Sequence, residues 1–293
     1  MKYFARTNRL ALSIVVLGII LASLTAWTWW RQIYTNPENV FDRMLSGSLT
    51  VPTVTKGTSE SSDDGQSAQQ TSQLSVGPLP SVVTHATATQ GPTSIAYESI
   101  AFPDREYFRY TNITTQAEGE EPSTPEQYQD ALGIWGFTSA ATMGTEAQMF
   151  DQTVLGIVPI GNLTPADRAE LLRQIHAENV YTVNYESVER KHVDGRNVYV
   201  YHVQIDPKAY VSMLKTFARM IGSDQLADVD TAAYEGAPQL QGDMSIDARA
   251  GYLGDVFYAD RSRVEPFTSY GLQNTVEEPA DSIPLLQLQS MLQ

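Results

Sequence analysis

The chain has 293 residues, no cysteine and a formal net charge of −15 at pH 7. Without cysteine it can form no disulfide, thiolate zinc site or iron–sulfur cluster, and it has no thiol nucleophile. A surface this acidic repels nucleic acid and anionic lipid headgroups, so we predict no nucleic-acid partner.

The N-terminal segment contains a long uncharged run from Leu10 to Trp30. At 1.5 Å per residue this run spans about 32 Å, which matches the hydrocarbon core of a bilayer. Residues 1–9 form a basic tail, and the basic excess on that side predicts a cytoplasmic N-terminus. The sequence therefore predicts a single-pass membrane protein with a transmembrane helix at 10–30, a linker at 31–36 and an extracytoplasmic domain at 37–293.

A cleaved signal peptide is the alternative interpretation of the same run. Cleavage requires small residues at positions −3 and −1, but a cut after Ala26 puts Leu24 at −3, and a cut after Ala22 puts Ile20 there. We therefore prefer an uncleaved anchor. Gly18, Ala22 and Ala26 recur every four residues, a pattern that lets two helices approach closely and so permits a homodimer through this face, although small residues are common in such helices.

The first part of the exported domain combines one helix, one polar stretch and two strands. PENVFDRMLSGSL predicts a helix that begins at Pro37, with Asn36 as its N-cap. Residues 56–93 are rich in Ser, Thr, Gln, Gly and Asp, and such a composition buries too little apolar surface to order itself. We expect a mobile loop there. SIAYESIAF and EYFRYTNIT then alternate as strands do, separated by a turn at Pro103-Asp104.

Two capped amphipathic helices are predicted in the second half. Thr164 precedes Pro165 and stands three residues before Asp167, which is the pattern of a capped helix start. Asp206-Pro207 gives a second start of the same kind. Between them, VYTVNYESVERKHVDGRNVYVYHVQID predicts a β-hairpin whose central Asp-Gly pair tolerates positive φ.

The last third predicts a run of short strands, QGDMSIDAR, GYLGDVFYADR and VEPFTSYG, followed by a terminal helix from Ile283 to Gln293. Strands in runs, joined by short turns and interrupted by a few helices, favour an α+β fold with an antiparallel sheet.

No catalytic signature is present: the chain has no GxSxG, GxxxxGK[ST], GxGxxG or HExxH motif. In the register of the predicted hairpin His192 and His202 lie on opposite faces, so they do not share a metal. The 34 acidic residues offer many carboxylates, but nothing selects a glycosidase pair among them. We predict a non-enzymatic protein without metal or cofactor.

One feature of element order links the chain to a known family. RNVYVYHVQID runs directly into PKAYVSMLKTF, and MSIDARAGYLGDVFYADR and SYGLQNTVEEPADSIP follow. This order, from Val180 to Pro284, resembles that of the Lol-type and LppX/LprG-type lipoprotein carriers, which are exported proteins. The resemblance implies an antiparallel half-barrel wrapped around helices, with an apolar groove that takes acyl chains in the carriers. It carries over no catalytic residues, and a protein helix stands here where relatives often have a lipidated cysteine.

Together these features predict an α+β fold in which a single N-terminal transmembrane helix precedes an antiparallel β half-barrel packed with helices. We expect a tethered domain of a bacterial cell envelope that binds a lipid or lipid-linked molecule. The candidate groove-lining residues are Tyr199, Tyr201, Val203 and Ile205. Two alternatives stay open: a protein-interaction or envelope-assembly scaffold whose groove is filled by its own helices, and a surface hydrolase.

Overall fold

The computed structural model describes residues 2–62, 66–76, 80–116, 121–139, 149–193, 195–223, 226–259, 263–272 and 276–292, with the side chains of the first helix described from Val16 onward. The α-helices of these residues are α1 (Lys2–Trp29), α2 (Pro37–Ser48), α3 (Glu126–Gln129), α4 (Met149–Val154), α5 (Pro165–Ala177), α6 (Pro207–Met220) and α7 (Leu285–Ser290). A π-helical turn, Trp30–Tyr34, continues α1, and 3₁₀ turns lie at Tyr185–Ser187 and Thr231–Tyr234.

The strands are β1 (Thr53–Ser61), β2 (Ser67–Ser75), β3 (Ser81–Gln90), β4 (Thr93–Ala101), β5 (Arg105–Thr115), β6 (Gly136–Ser139), β7 (Tyr181–Val183), β8 (Glu189–Val193), β9 (Arg196–Ile205), β10 (Leu240–Asp247), β11 (Leu253–Tyr258), β12 (Arg263–Thr268) and β13 (Ile283–Pro284). They form one 13-stranded sheet in the order β13-β6-β5-β4-β3-β2-β1-β12-β11-β10-β9-β7, and β8 pairs with β9 beside β7. Only the short β13–β6 pair is parallel among the described pairs. The sheet is open.

The α+β prediction is confirmed at this level: a large open antiparallel sheet combines with helices. The main core lies on one face of the sheet, which we call the inner face. There α2, α5 and α6 pack against alternate residues of β9 and β10, including Tyr201 and Met244. The helix starts are those predicted, because the side chains of Asn36, Thr164 and Asp206 each accept a backbone N–H of the first turn.

The β8–β9 hairpin also has the predicted register, with His192 opposite Asn197. Beyond Glu189 the pairing stops because the 3₁₀ turn Tyr185–Ser187 interrupts the strand, and β7 then takes up the rest of β9. His202 lies opposite Asp243 of β10 on the outer face, and its Nδ1 is 2.5 Å from the Asp243 carboxylate.

The prediction of a mobile loop at 56–93 is wrong for the described part of that stretch, which forms most of β1 and all of β2 and β3. Each of these strands is paired on both sides, so the backbone groups are satisfied within the sheet. The buried hydroxyls of Ser72 and Thr84 lie 2.9 Å apart across two strands. Composition suggested disorder because Ser and Thr bury little apolar area, but neighbouring strands and hydroxyl pairs supply the missing stabilisation.

The predicted single-pass membrane localisation also needs correction. Among the described residues, no helix is long and apolar enough to cross a membrane. The transmembrane helix at 10–30 and the membrane as its partner are therefore not supported. Gly18, Ala22 and Ala26 lie on α1, and a single chain does not test a homodimer.

The Thr164 cap allows a direct stability prediction. Thr164 Oγ1 accepts the N–H of Asp167 at 3.2 Å, and its hydroxyl donates to the Asp167 carboxylate at 2.7 Å. Thr164→Ala should therefore lower the free energy of unfolding by about 1 kcal/mol, as measured by urea titration. Glu170→Ala, at an exposed position of the same helix, should change it by less than about 0.5 kcal/mol. Equal effects of the two changes would contradict the cap.

Candidate functional site

A cavity of about 1020 Å³ opens on the inner face at one end of the sheet. We call it the main cavity. Its apolar lining comes from Ala68, Ala88, Ile157, Ile205, Tyr210, Leu240 and Tyr258. Polar side chains from the tips of the strands surround it: Ser61, Ser62, Gln66, Ser67, Thr89, Gln90, Gln239 and Gln241. A cavity lined by both apolar and polar side chains suits an amphipathic molecule.

The four predicted lining residues all lie on β9, but they have different surroundings. Ile205 lines the main cavity. Tyr199 and Tyr201 are buried towards α2, where their hydroxyls donate to the carbonyls of Thr35 at 3.0 Å and Pro37 at 2.9 Å. Burial raises the pKa of Tyr201, so its phenol stays protonated as a donor. Val203 is likewise a core residue, and of the four only Ile205 contacts the cavity.

A smaller space of about 250 Å³ adjoins the main cavity further along β1 and β2. We call it the polar chamber. It shares Glu60, Ala68 and Arg263 with the main cavity, and its remaining lining is Lys56, Thr58, Gln70, Tyr97 and Thr153. The two spaces therefore share part of their lining but differ in chemistry, because only the chamber is predominantly polar.

The chamber lining includes three members of an ion network, Lys56, Arg263 and Glu60. The fourth member is Glu265, which does not itself line the chamber. The Glu265 side chain is only 1% exposed, and its Oε2 lies 3.1 Å from Lys56 Nζ. Arg263 Nε donates to Glu265 Oε1 at 2.8 Å, while Arg263 Nη1 lies 2.9 Å from Glu60 Oε1. The phenol of Tyr258 adds a further donor to Glu265 Oε1 at 3.2 Å.

Burial controls the titration of this network. It lowers the pKa of the Lys56 ammonium, and the adjacent Glu265 carboxylate opposes that effect. Burial also raises the pKa of Tyr258 and of Tyr210, which keeps both phenols protonated. Glu265 Oε2 accepts no hydrogen bond from the described residues, so its contact with Lys56 is an ion pair without hydrogen-bond geometry. Perturbed ionisable groups beside a cavity are a common mark of a functional site.

The alternation of side chains along β1 and the hydrogen bonds of two tyrosines position the residues of this site. Lys56, Thr58 and Glu60 alternate along β1, so all three point to the inner face. The segment between α4 and α5 crosses that face and contributes Ile157 to the main cavity. It is fixed by the hydroxyl of Tyr210, which donates to Gly156 O at 3.0 Å, and by that of Tyr181, which donates to Ile157 O at 2.6 Å.

The sequence prediction missed most of this site because much of it lies within residues 56–93. The available signal was the alternation of Lys56, Thr58 and Glu60 shortly after the strand-like segment TVPTV. A second signal was Glu265, a single carboxylate in the strand-like segment VEPFT. In the part of the chain described, no cluster of His, Asp and Glu could hold a metal ion.

Comparisons with known proteins add a likeness of overall shape. No protein-family model matches the chain, and no curated protein matches it. Among solved structures, the crystal structure of LprF from Mycobacterium bovis is similar over 84% of this chain and 97% of that one, with a TM-score of 0.43 and 12% sequence identity. At this level the likeness concerns the fold alone.

Proposed function

We propose that the protein binds an amphipathic ligand, a lipid or lipid-linked molecule, in the main cavity. The observation that carries this proposal is the cavity itself: its volume of about 1020 Å³ is at the upper end of the range for ligand pockets, roughly 300–1,000 Å³. The open sheet would then serve as the half-barrel wall expected from the sequence. Binding needs no chemical step, and we assign none.

The lining supports an apolar portion in the ligand. Ile157, Ile205 and Leu240 come from three separate parts of the chain and meet at the same cavity. Leu240 is 48% exposed although it lies on a strand, which leaves apolar surface available to a ligand. Covering such surface would gain about 25 cal/mol per Å².

The scaffold alternative is favoured by a different observation. The half of the inner face around Tyr199 and Tyr201 is covered by α2 of the same chain, and Phe41 packs against Tyr201 with ring centroids 5.4 Å apart. If the main cavity also stays empty in solution, the domain would serve as a protein-interaction module instead.

Filling the main cavity tests the binding proposal. Ala88 lines the cavity, whereas its neighbour Thr87 points to the other face of β3 because side chains alternate along a strand. Ala88→Trp should weaken binding of a fluorescent acyl probe by at least about tenfold, since the indole occupies the space of the ligand. The measurement is a fluorescence titration of the full chain, with native mass spectrometry to count bound molecules.

Thr87→Trp is the matched control, because it adds the same indole to the same strand. Nonspecific binding of the probe to exposed apolar surface elsewhere should be the same in both variants. Equal affinity of the two variants, or the absence of any bound amphiphile from the wild-type chain, would favour the scaffold.

A further inference from the structure

The polar chamber is the more buried of the two adjoining spaces. The Lys56 side chain is 9% exposed and Thr153 is 7% exposed, whereas Gln239 and Gln241 at the rim of the main cavity are exposed. The chamber is also where hydroxyl and amide groups collect, from Thr58, Gln70 and Thr153. An amphipathic molecule that fills both spaces therefore matches their chemistry with its polar end in the chamber and its apolar part in the main cavity.

The charges of the ion network at the chamber balance one another. Lys56 and Arg263 are cations, Glu60 and Glu265 are carboxylates, and every cation lies within 3.1 Å of a carboxylate oxygen. A ligand with a net charge would leave one charge uncompensated beside the buried Glu265–Lys56 pair. Uncompensated charge in a poorly solvated site is strongly unfavourable. A polar group of zero net charge avoids this cost and can hydrogen-bond to the hydroxyls and amide.

We infer that the polar chamber is a headgroup site that selects an uncharged, hydrogen-bonding headgroup, with the ligand bound headgroup inward. The inference rests on the proposed ligand binding in the main cavity. The ion network then sets the charge of the ligand, because its two cations and two carboxylates leave no net charge for a headgroup to neutralise.

The first test compares three probes with the same acyl or alkyl chain: a monoacylglycerol, a fatty acid and a fatty amine. Each displaces a fluorescent acyl probe from the full chain at pH 7.5, below its micelle-forming concentration. We expect the monoacylglycerol to bind at least about tenfold more tightly than either charged probe. A fatty acid or amine that binds as tightly as the monoacylglycerol would overturn the inference.

Two variants then shift the charge balance in opposite directions. Lys56→Met removes one positive charge and should move the preference towards the fatty amine, whereas Glu265→Gln removes one negative charge and should move it towards the fatty acid. Each shift is expected to be about tenfold relative to wild type. Circular dichroism checks that each variant folds. If Glu265→Gln does not fold, Lys56→Met by itself still tests the inference. Unchanged selectivity in a folded variant would contradict it.

The outcomes separate the two proposals. If none of the three probes binds the wild-type chain, the proposed ligand binding fails. If the probes bind and Ala88→Trp blocks them, but their ranking does not depend on headgroup charge, then only the headgroup inference fails.

Discussion

Phe217→Ala is expected to lower the free energy of unfolding by about 4 kcal/mol. Phe217 lies on α6, is 0% exposed and belongs to the main core. The Phe217 ring packs closely against the backbone at Gly161: a β-carbon added at position 161 would lie only 3.0 Å from Phe217 Cε2. Truncation removes the transfer free energy of the ring and leaves a void that the sheet and the crossing segment can close only in part.

Urea titration followed by circular dichroism would measure this loss. Leu286→Ala is the control, because Leu286 is 81% exposed on α7 and its truncation should cost less than about 0.5 kcal/mol. Phe217→Leu should cost clearly less than Phe217→Ala, since it leaves a smaller void. A loss below about 1.5 kcal/mol for Phe217→Ala would mean that α6 does not pack on the sheet as described.

Glu265→Ala is expected to lower the free energy of unfolding by about 3 kcal/mol. The change leaves the ammonium of Lys56 buried without its carboxylate and removes the acceptor of Arg263 Nε and of the Tyr258 phenol. The cost is below that of a fully buried pair because Arg263 is 39% exposed and keeps Glu60 as a partner. Lys56 can also lose its proton, since burial already lowers its pKa.

The matched control breaks an exposed ion pair of the same kind. Glu235 and Lys208 lie 3.0 Å apart, with side chains 72% and 47% exposed. Glu235→Ala should change stability by no more than about 0.5 kcal/mol, because water screens such pairs. The double variant Lys56→Met/Glu265→Ala should recover part of the loss of Glu265→Ala, since no lone ammonium stays buried. No recovery would show that the two side chains are not coupled.

Local signals in the sequence were sufficient wherever the chain itself supplies the stabilising group. The caps by Asn36, Thr164 and Asp206 lie next to the helices they start. The hairpin register at Val193 and Arg196 follows from the turn residues between β8 and β9. Such features need only neighbours in sequence, and the structure has them as predicted.

The stretch 56–93 required information from distant residues. β1 pairs with β12, more than two hundred residues away, and Ser72 finds its hydroxyl partner on a separate strand. Amino-acid composition reports only how much apolar area a segment can bury. It does not reveal a polar strand whose backbone is hydrogen-bonded to a neighbouring strand on each side. Much of the polar chamber was not predicted, for the same reason.

The sequence by itself determined the α+β class, the helix starts and the β8–β9 turn, because these depend on backbone preferences and on groups a few residues apart. Only the tertiary structure decided which face of the sheet is filled and which stays open. It buries Tyr199 under α2 and leaves Ile205 at the main cavity, although both lie on the same face of β9. It also brings Lys56 and Glu265 together from the two ends of the domain. Long-range strand pairing sets both results, and no local pattern encodes it.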